Sequence, residues 1–337
     1  MRNADFTRIL KVLRRETPDS PALFEFFLNP RLYRRLVGPD WDTIASCSRP
    51  DAHRLAIRAF RAAGYDYATV HAPMSFPGKE RARAQTVSLN DGAVITGRAS
   101  FDRYPWPNPD ADDYSSFDAV GDDLRGMKLM VAGPGGVLEN VISLVGYDNL
   151  CFLVADDPAL VYDIFEAVGS RLVTYYRRSV QSRSIGLLMS NDDWGFKTQT
   201  MLSPADMRRF VFPWHKRIVE VAHNAGIPAV LHSCGYVGDV MDDIVDDMRY
   251  DGKHSFEDVI QPVEEAYACW GSRIAILGGL DVDFILRSTE EEITARASRL
   301  VAMGARGGYA LGTGNSVPEY IPDEKYFAMT RAVLDPS

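Results

Sequence analysis

Cysteine is scarce in this 337-residue chain: four residues, at 47, 151, 234 and 269, with no short paired spacing. That spacing indicates neither a disulfide framework nor a CxxC site, and reduced thiols are the simplest reading. Positive charge is also in deficit. Lys and Arg total 37 against 46 Asp and Glu, a net charge of −9, which argues against non-specific nucleic-acid binding and against an anionic membrane surface. No uninterrupted apolar run approaches the ~18–20 residues needed to span a bilayer. The opening MRNADFTRILKVLRRETPDSP is amphipathic and charged, with no apolar h-region. No low-complexity tract or strict short repeat is present. These absences together lead us to expect a cytoplasmic protein without nucleic-acid or membrane partners.

What the chain does have is apolar content, 46% of residues, enough for two ordinary domains or one large α/β barrel. Residues 1–60 read as a helical cap, with helices expected over 6–13, 21–36 and 51–63. Short apolar runs then recur near 66–71, 93–97, 127–132, 184–190, 227–231, 249–253, 273–278 and 307–312. Helix-compatible segments separate most of them, for example 205–226, 237–248 and 288–304. In the last, Ser288 and Glu291 are spaced as a capping box, with Gly304 as the stop. Eight strands alternating with helices over 61–337 predict an α/β fold of the (β/α)8 TIM-barrel type, behind the 1–60 cap and within one structural domain. A doubly wound open sheet is the alternative.

In a barrel of this kind chemistry sits where strands end, and the unusual polar residues do follow the strands. His71 ends the first; Asp192, Asp193, Trp194 and Lys197 follow the fourth. His232 and Cys234 close the fifth, within AVLHSCG. His254, Glu257 and Asp258 follow the sixth, Asp281 the seventh, and a Gly-rich turn with Asn315 the eighth. His232 and Cys234, two apart, are both competent metal ligands on one side of a strand. Adjacent Asp192 and Asp193 must diverge, so one of them enters the mouth as acid, base, ligand or anchor. His254, Glu257 and Asp193 are the candidates for proton transfer, and Glu257 or Asp193 for completing a metal site. His71, Trp194, Lys197, Asp258, Asp281 and Asn315 are candidate substrate contacts. For most of these residues a helix cap, a salt bridge or buried bracing is the competing explanation. The Pro- and aromatic-rich segment 100–118 is long enough to act as a lid.

The order DDWG, then SPADMRRFVFPWHKRIVEVAHNAGIPAVLHSCG, then GGLD, then GTGNSVPEYIPDEKYFAM resembles the uroporphyrinogen decarboxylase superfamily over most of 60–335. The resemblance implies a (β/α)8 barrel and one of two chemistries. One is metal-free decarboxylation of a carboxylated small molecule. The other is zinc-dependent methyl transfer between a small substrate and a corrinoid protein. The arginine-bearing Arg-Gln-Ala-Gly-Arg segment of true decarboxylases is absent. The His-x-Cys pair of the methyltransferases is matched by His232 and Cys234, but Asn315 stands where their distant cysteine would be. The resemblance therefore favours a methyltransferase with zinc and a corrinoid-bearing partner, and implies a homodimer. A decarboxylase and a non-catalytic ligand-binding barrel are the other readings.

Overall fold

The computed structural model describes residues 2–78 and 89–335. Seven parallel strands form one sheet in sequence order: β1 Tyr67–Val70, β2 Lys128–Ala132, β3 Ile185–Asn191, β4 Ala229–His232, β5 Gly252–His254, β6 Ala275–Leu277 and β7 Tyr309–Ala310. All are largely buried, and apart from β5, which carries Lys253 and His254, they are mainly apolar, as strands covered on both faces must be. Helices connect them, the longest being Pro158–Ser179, whose face of Leu160, Ile164, Val168, Leu172 and Tyr175 is buried. Among the described residues, no single helix is long and apolar enough to cross a membrane.

Two expectations about the elements fail. The run 93–97 is not a strand. The amides of Val94 and Ile95 both bond to the carbonyl of Leu144, at the end of helix Val137–Val145, so this segment serves the helix layer rather than the sheet. The helix expected over 21–36 begins only at Pro30, with Asn29 as its N-cap. Residues ahead of it are extended. Leu23 pairs in parallel with Leu311, and Phe24 N and Leu311 N exchange bonds with the Leu311 and Ala22 carbonyls. On the other side, the Tyr67 and Thr69 hydroxyls donate to the Glu25 and Phe26 carbonyls. This short segment therefore touches both edge strands, β7 and β1. Helical periodicity misled because a Pro-Ala-Leu-Phe-Glu-Phe run alternates as well as it spirals.

Alternation fixes what the segment does. Phe24 and Phe26 face inward, 5.1 Å from the His254 ring and 4.9 Å from the His232 ring. Glu25 faces the opposite way, fully buried, and holds the turn after β7 through the Thr313 amide and hydroxyl at 2.7 and 2.9 Å. The other end of the sheet is filled by helix Thr7–Leu13. Leu13 comes so near Gly252 that a Cβ there would lie 2.8 Å from its side chain.

Smaller expectations shift by a residue or two. The capping box near 288 uses Thr289 and Glu292, not Ser288 and Glu291. The segment 100–118 bonds to the loop after β1 through the Tyr104 hydroxyl and the Pro77 carbonyl at 2.6 Å. It docks on helix Pro158–Ser179, with Arg171 donating to the Pro107 carbonyl and stacking 4.9 Å from the Trp106 ring.

Burial pushes the Glu25 carboxyl up to about 8. The Thr313 hydroxyl has one proton and two oxygen neighbours, Glu25 and the Asn315 carbonyl, so a neutral Glu25 that donates to it satisfies all three. Above its unfolded value of 4.5 the unfolded carboxyl ionises while the folded one stays protonated, so this group's stability falls as pH rises toward 8. Glu25→Gln, which keeps a donor and an acceptor without the ionisation cost, is expected to leave the melting temperature unchanged near pH 5 and raise it near pH 8. Equal destabilisation at both pH values in thermal unfolding would show that Glu25 is not held neutral.

Candidate metal centre

Strand register brings the site together. Asn191 pairs with His232, His232 with His254, and His254 with Leu277, so the ends of β3 to β6 lie level. His232 Nε2 and the Cys234 Sγ are 3.6 Å apart. Asp193 Oδ1 lies 4.0 Å from the same Nε2 and accepts the Cys234 amide at 2.8 Å. One ligand atom from each of Asp193, His232 and Cys234 falls within 4.8 Å of the others. Cys234 itself lies just past β4, in a turn made possible by Gly235 at φ +80°. A Cβ on Gly235 would sit 2.0 Å from the Gly195 carbonyl, so the turns after β3 and β4 meet backbone to backbone.

The adjacent aspartates divide as their geometry requires. Asp192 is fully buried and accepts the Leu138 and Glu139 amides at 2.9 and 2.8 Å, capping helix Val137–Val145. His215 Nε2 donates to it at 2.8 Å, while His215 Nδ1 accepts from the Tyr250 hydroxyl at 2.7 Å. Gly136 leaves the room that this needs: a Cβ there would lie 2.2 Å from the carboxyl. Asp193 keeps 37% of its side chain exposed and faces the cluster.

His254 does not reach the cluster. It is fully buried behind His232, joined Nδ1 to Nδ1 at 2.8 Å. One of these nitrogens must carry the proton. If His232 Nδ1–H donates to His254, the His232 Nε2 lone pair is left facing Asp193 and Cys234, the tautomer a metal ligand needs. His254 then carries its own proton on Nε2, which is buried without a partner.

The thiol is surrounded by donors. Asn315 Nδ2 and the Ser255 hydroxyl lie 3.1 and 3.4 Å from Sγ. Ser255 is held at φ +83°, a conformation costing a non-glycine residue roughly 1–3 kcal/mol. Burial, with Asp193 beside it, pushes the Cys234 thiol up to about 12, and burial pulls His232 down to about 4. Nitrogen, thiol and carboxylate donors at this spacing fit a zinc-class cation.

The remaining candidate residues separate into two groups. Glu257 stands beside Asn315, half-buried, its carboxyl raised by burial and by Asp281 and lowered by the Asn315 amide. His71 reaches solvent at the end of β1. Three of the others, Asp258, Asp281 and Trp194, brace the fold, the competing explanation for each. Asp258 is bidentate to Arg296 at 2.5 and 2.8 Å. Asp281 caps helix Val282–Arg287 and accepts the Asp258 amide. Trp194 is fully buried, its ring 4.8 Å from His215. Lys197 is exposed on the turn closed by the Gly195–Thr200 bridge.

A family model for uroporphyrinogen decarboxylase (URO-D) matches residues 6–335. The chain belongs to this family. Among curated relatives of that name, the protein of Myxococcus xanthus is 24% identical over 177 residues, 52% of this chain and 48% of its own. That of Anaeromyxobacter sp. is 27% identical over 188 residues, 56% and 51%. The matched stretch thus spans about half the length of these relatives. A solved methyltransferase from Methanosarcina mazei superposes over 99% of both chains with a TM-score of 0.71 at 17% identity. A putative vitamin-B12-independent methionine synthase from Listeria monocytogenes gives 0.51 at 12% over 99% of this chain and 98% of its own. At such identities the two solved structures show the fold alone.

Three residues at the site escaped the sequence reading. His215 sits mid-helix, where nothing in the pattern ties it to Asp192. Lys253 is almost fully buried, donating to the Ser233 carbonyl at 3.2 Å and to the Ser255 carbonyl, with its Nζ 4.1 Å from the Phe256 ring; burial lowers it to about 8. A lysine inside a strand was the available signal. Glu139 accepts the Gly136 amide at 2.8 Å, and burial together with Asp192 and Asp193 pushes it up to about 8. Its signal was its place three residues into the helix after Gly-Pro-Gly-Gly.

The two aspartates should separate in mutagenesis. Asp192→Asn is expected to cost about 3–5 kcal/mol in chemical denaturation, because a buried charge network loses its centre. Asp193→Asn should stay within about 1 kcal/mol, as expected for a half-exposed group. Equal costs would contradict the assigned division.

Proposed function

We propose that this member of the URO-D family is a zinc-assisted methyltransferase, moving a methyl group between a small substrate and a corrinoid carried by a partner protein. The observation that carries the reading is the Asp193–His232–Cys234 cluster, with an imidazole nitrogen and a thiol 3.6 Å apart. The fold likeness to a methyltransferase is consistent with it. On this reading the sheet is a (β/α)8 barrel in which residues 22–26 supply the eighth stave, ahead of the seven canonical positions in sequence, and 1–60 otherwise cap it.

His232 through Nε2, Cys234 through Sγ and Asp193 through a carboxylate oxygen would hold zinc, which supplies Lewis acidity toward the substrate heteroatom. His254 fixes the His232 tautomer and orients its ring. The Asn315 amide and the Ser255 hydroxyl hold the sulfur in place. Glu257, at the edge of the cluster, exchanges a proton with the substrate heteroatom. The partner corrinoid domain would dock over the rim formed by the turns after β3, β4, β5 and β7.

The rival is decarboxylation, the activity in the names of the curated relatives. The wall of the site speaks against a multiply carboxylated substrate, because Asp193 and Glu257 border it. Among the described residues, the groups bonded to the cluster are Ser255, Asn315 and His254, and none is an arginine.

Metal analysis of protein purified without chelator, followed by zinc titration, tests the reading. We expect about one zinc per chain, lost on His232→Ala or Cys234→Ala. The thiol stays protonated until about pH 12 whereas His232 is already neutral above about 4. Zinc must therefore displace about one proton, and affinity should rise roughly tenfold per pH unit between about pH 6 and 8. Wild type that takes up no zinc, yet releases carbon dioxide from a carboxylated substrate, would overturn the methyltransferase reading.

A further inference from the structure

A cavity of about 680 Å³ opens beside Glu257 and Asn315, the residues that link the rim to the Cys234 sulfur. Four large apolar side chains border it while remaining open to solvent: Phe27 at 42%, Val259 at 73%, Leu286 at 38% and Tyr320 at 62%. Apolar exposure concentrated on one concave surface marks a place where something binds.

The charges of the wall say what kind of molecule. Three carboxylates line it, Glu257, Asp281 and Asp283, against one base, Arg287. Arg287 is engaged with Asp283 at 2.8 Å. Asp281 is committed to the Phe284 and Asp258 amides. Glu257 is left, among the described residues, as the lining carboxylate with neither a salt bridge nor a helix cap to serve, bonded to the Asn315 amide with the buried Lys253 acting on it more weakly. A cleft with apolar walls and a net negative lining focuses a potential that attracts cations and repels anions. Exposed aromatic rings reinforce that preference, because their faces attract alkylammonium groups.

We infer that this cleft receives the small substrate and that its class is an organic cation with an apolar body, such as a methylated ammonium compound. The cationic head lies toward Glu257 and the body against Tyr320 and Phe27. The inference rests on the methyltransferase reading for what happens next to the cluster, and adds the substrate class to it.

Isothermal titration calorimetry tests it with three probes: a hydroxyphenyl-trimethylammonium ion, its neutral isostere tert-butylphenol, and the anion tert-butylbenzoate. The cation should bind at least about tenfold more tightly than the isostere, and the anion most weakly. Glu257→Gln should reduce the difference between cation and isostere at least about threefold while changing the isostere's affinity by no more than about twofold. Tyr320→Ala should weaken both. Both positions are accessible enough for the variants to fold, and circular dichroism checks this. Equal affinities in the wild type, or a cation preference undiminished by Glu257→Gln, would overturn the inference. Running the titrations on zinc-loaded and on chelator-treated protein separates the two readings. Zinc uptake without cation preference overturns only the substrate class, and cation preference without zinc uptake overturns only the metal.

Discussion

The hydrogen bond between His232 and His254 depends on strands being in register, and most of the site depends on that bond. Two imidazoles can meet Nδ1 to Nδ1 at 2.8 Å because their residues are paired directly across β4 and β5. A one-residue slip would turn one ring to the other face of the sheet. The bond also needs walls that keep both rings from turning. Phe24 and Phe26 supply them from the extended segment that touches both edges of the sheet. The same segment carries Glu25 on its other side, which holds the turn bearing Thr313 and Asn315. Packing against both edges of the sheet and placement of the amide at the thiol are thus one piece of chain.

The neighbourhood carries an electrostatic conflict. Two carboxyls, Glu25 and Glu139, are raised to about 8, and the thiol to about 12. The two carboxyls would carry negative charge in water and are kept from doing so by burial, and the thiol is moved further from ionising. Lys253 is the buried counterweight, lowered to about 8 and pinned under two carbonyls. A region that suppresses its own negative charge is arranged to accept a cation, and shifts of this kind cluster at functional sites. The apolar, acid-lined cleft beyond Asn315 extends the same preference outward.

Much of this was legible in the sequence where period-two patterning and strand-end position applied. Short apolar runs matched all seven strands within a few residues and placed His232, Cys234 and Asp193 on one rim. The failures have specific causes. Segment 22–26 alternates Phe-Glu-Phe, but a proline ahead and another behind made it read as a helix start, and its partners lie more than 40 residues away on one side and almost 290 on the other. The run 93–97 has a strand's composition yet gives its amides to a helix end. Asp258, Asp281 and Trp194 have the residue types of a binding site, and the sequence could not show that Arg296, a helix start and His215 had already claimed them. Asp192 and Asp193 were correctly seen to diverge. Which of the two faced the cluster was set by the distant Gly136, invisible to local pattern.

The substitution at Asn315 bears on what chemistry the cluster can support. An amide at 3.1 Å donates to sulfur where a second thiol would instead have added a proton to lose. On the proposed reading the donor set is one thiolate, one carboxylate and one neutral imidazole, whose charges just balance a divalent cation. A second thiolate would make the assembly anionic and spread more electron density onto the metal. A neutral assembly, its single sulfur further tempered by hydrogen bonds from Asn315 and Ser255, leaves the metal the stronger Lewis acid. That favours polarising an oxygen or nitrogen leaving group over activating an added thiol as nucleophile. The acidic cleft beyond Asn315 fits the same direction, since a protonated amine held there would give its proton to Glu257 and have a lone pair to offer a bound cation.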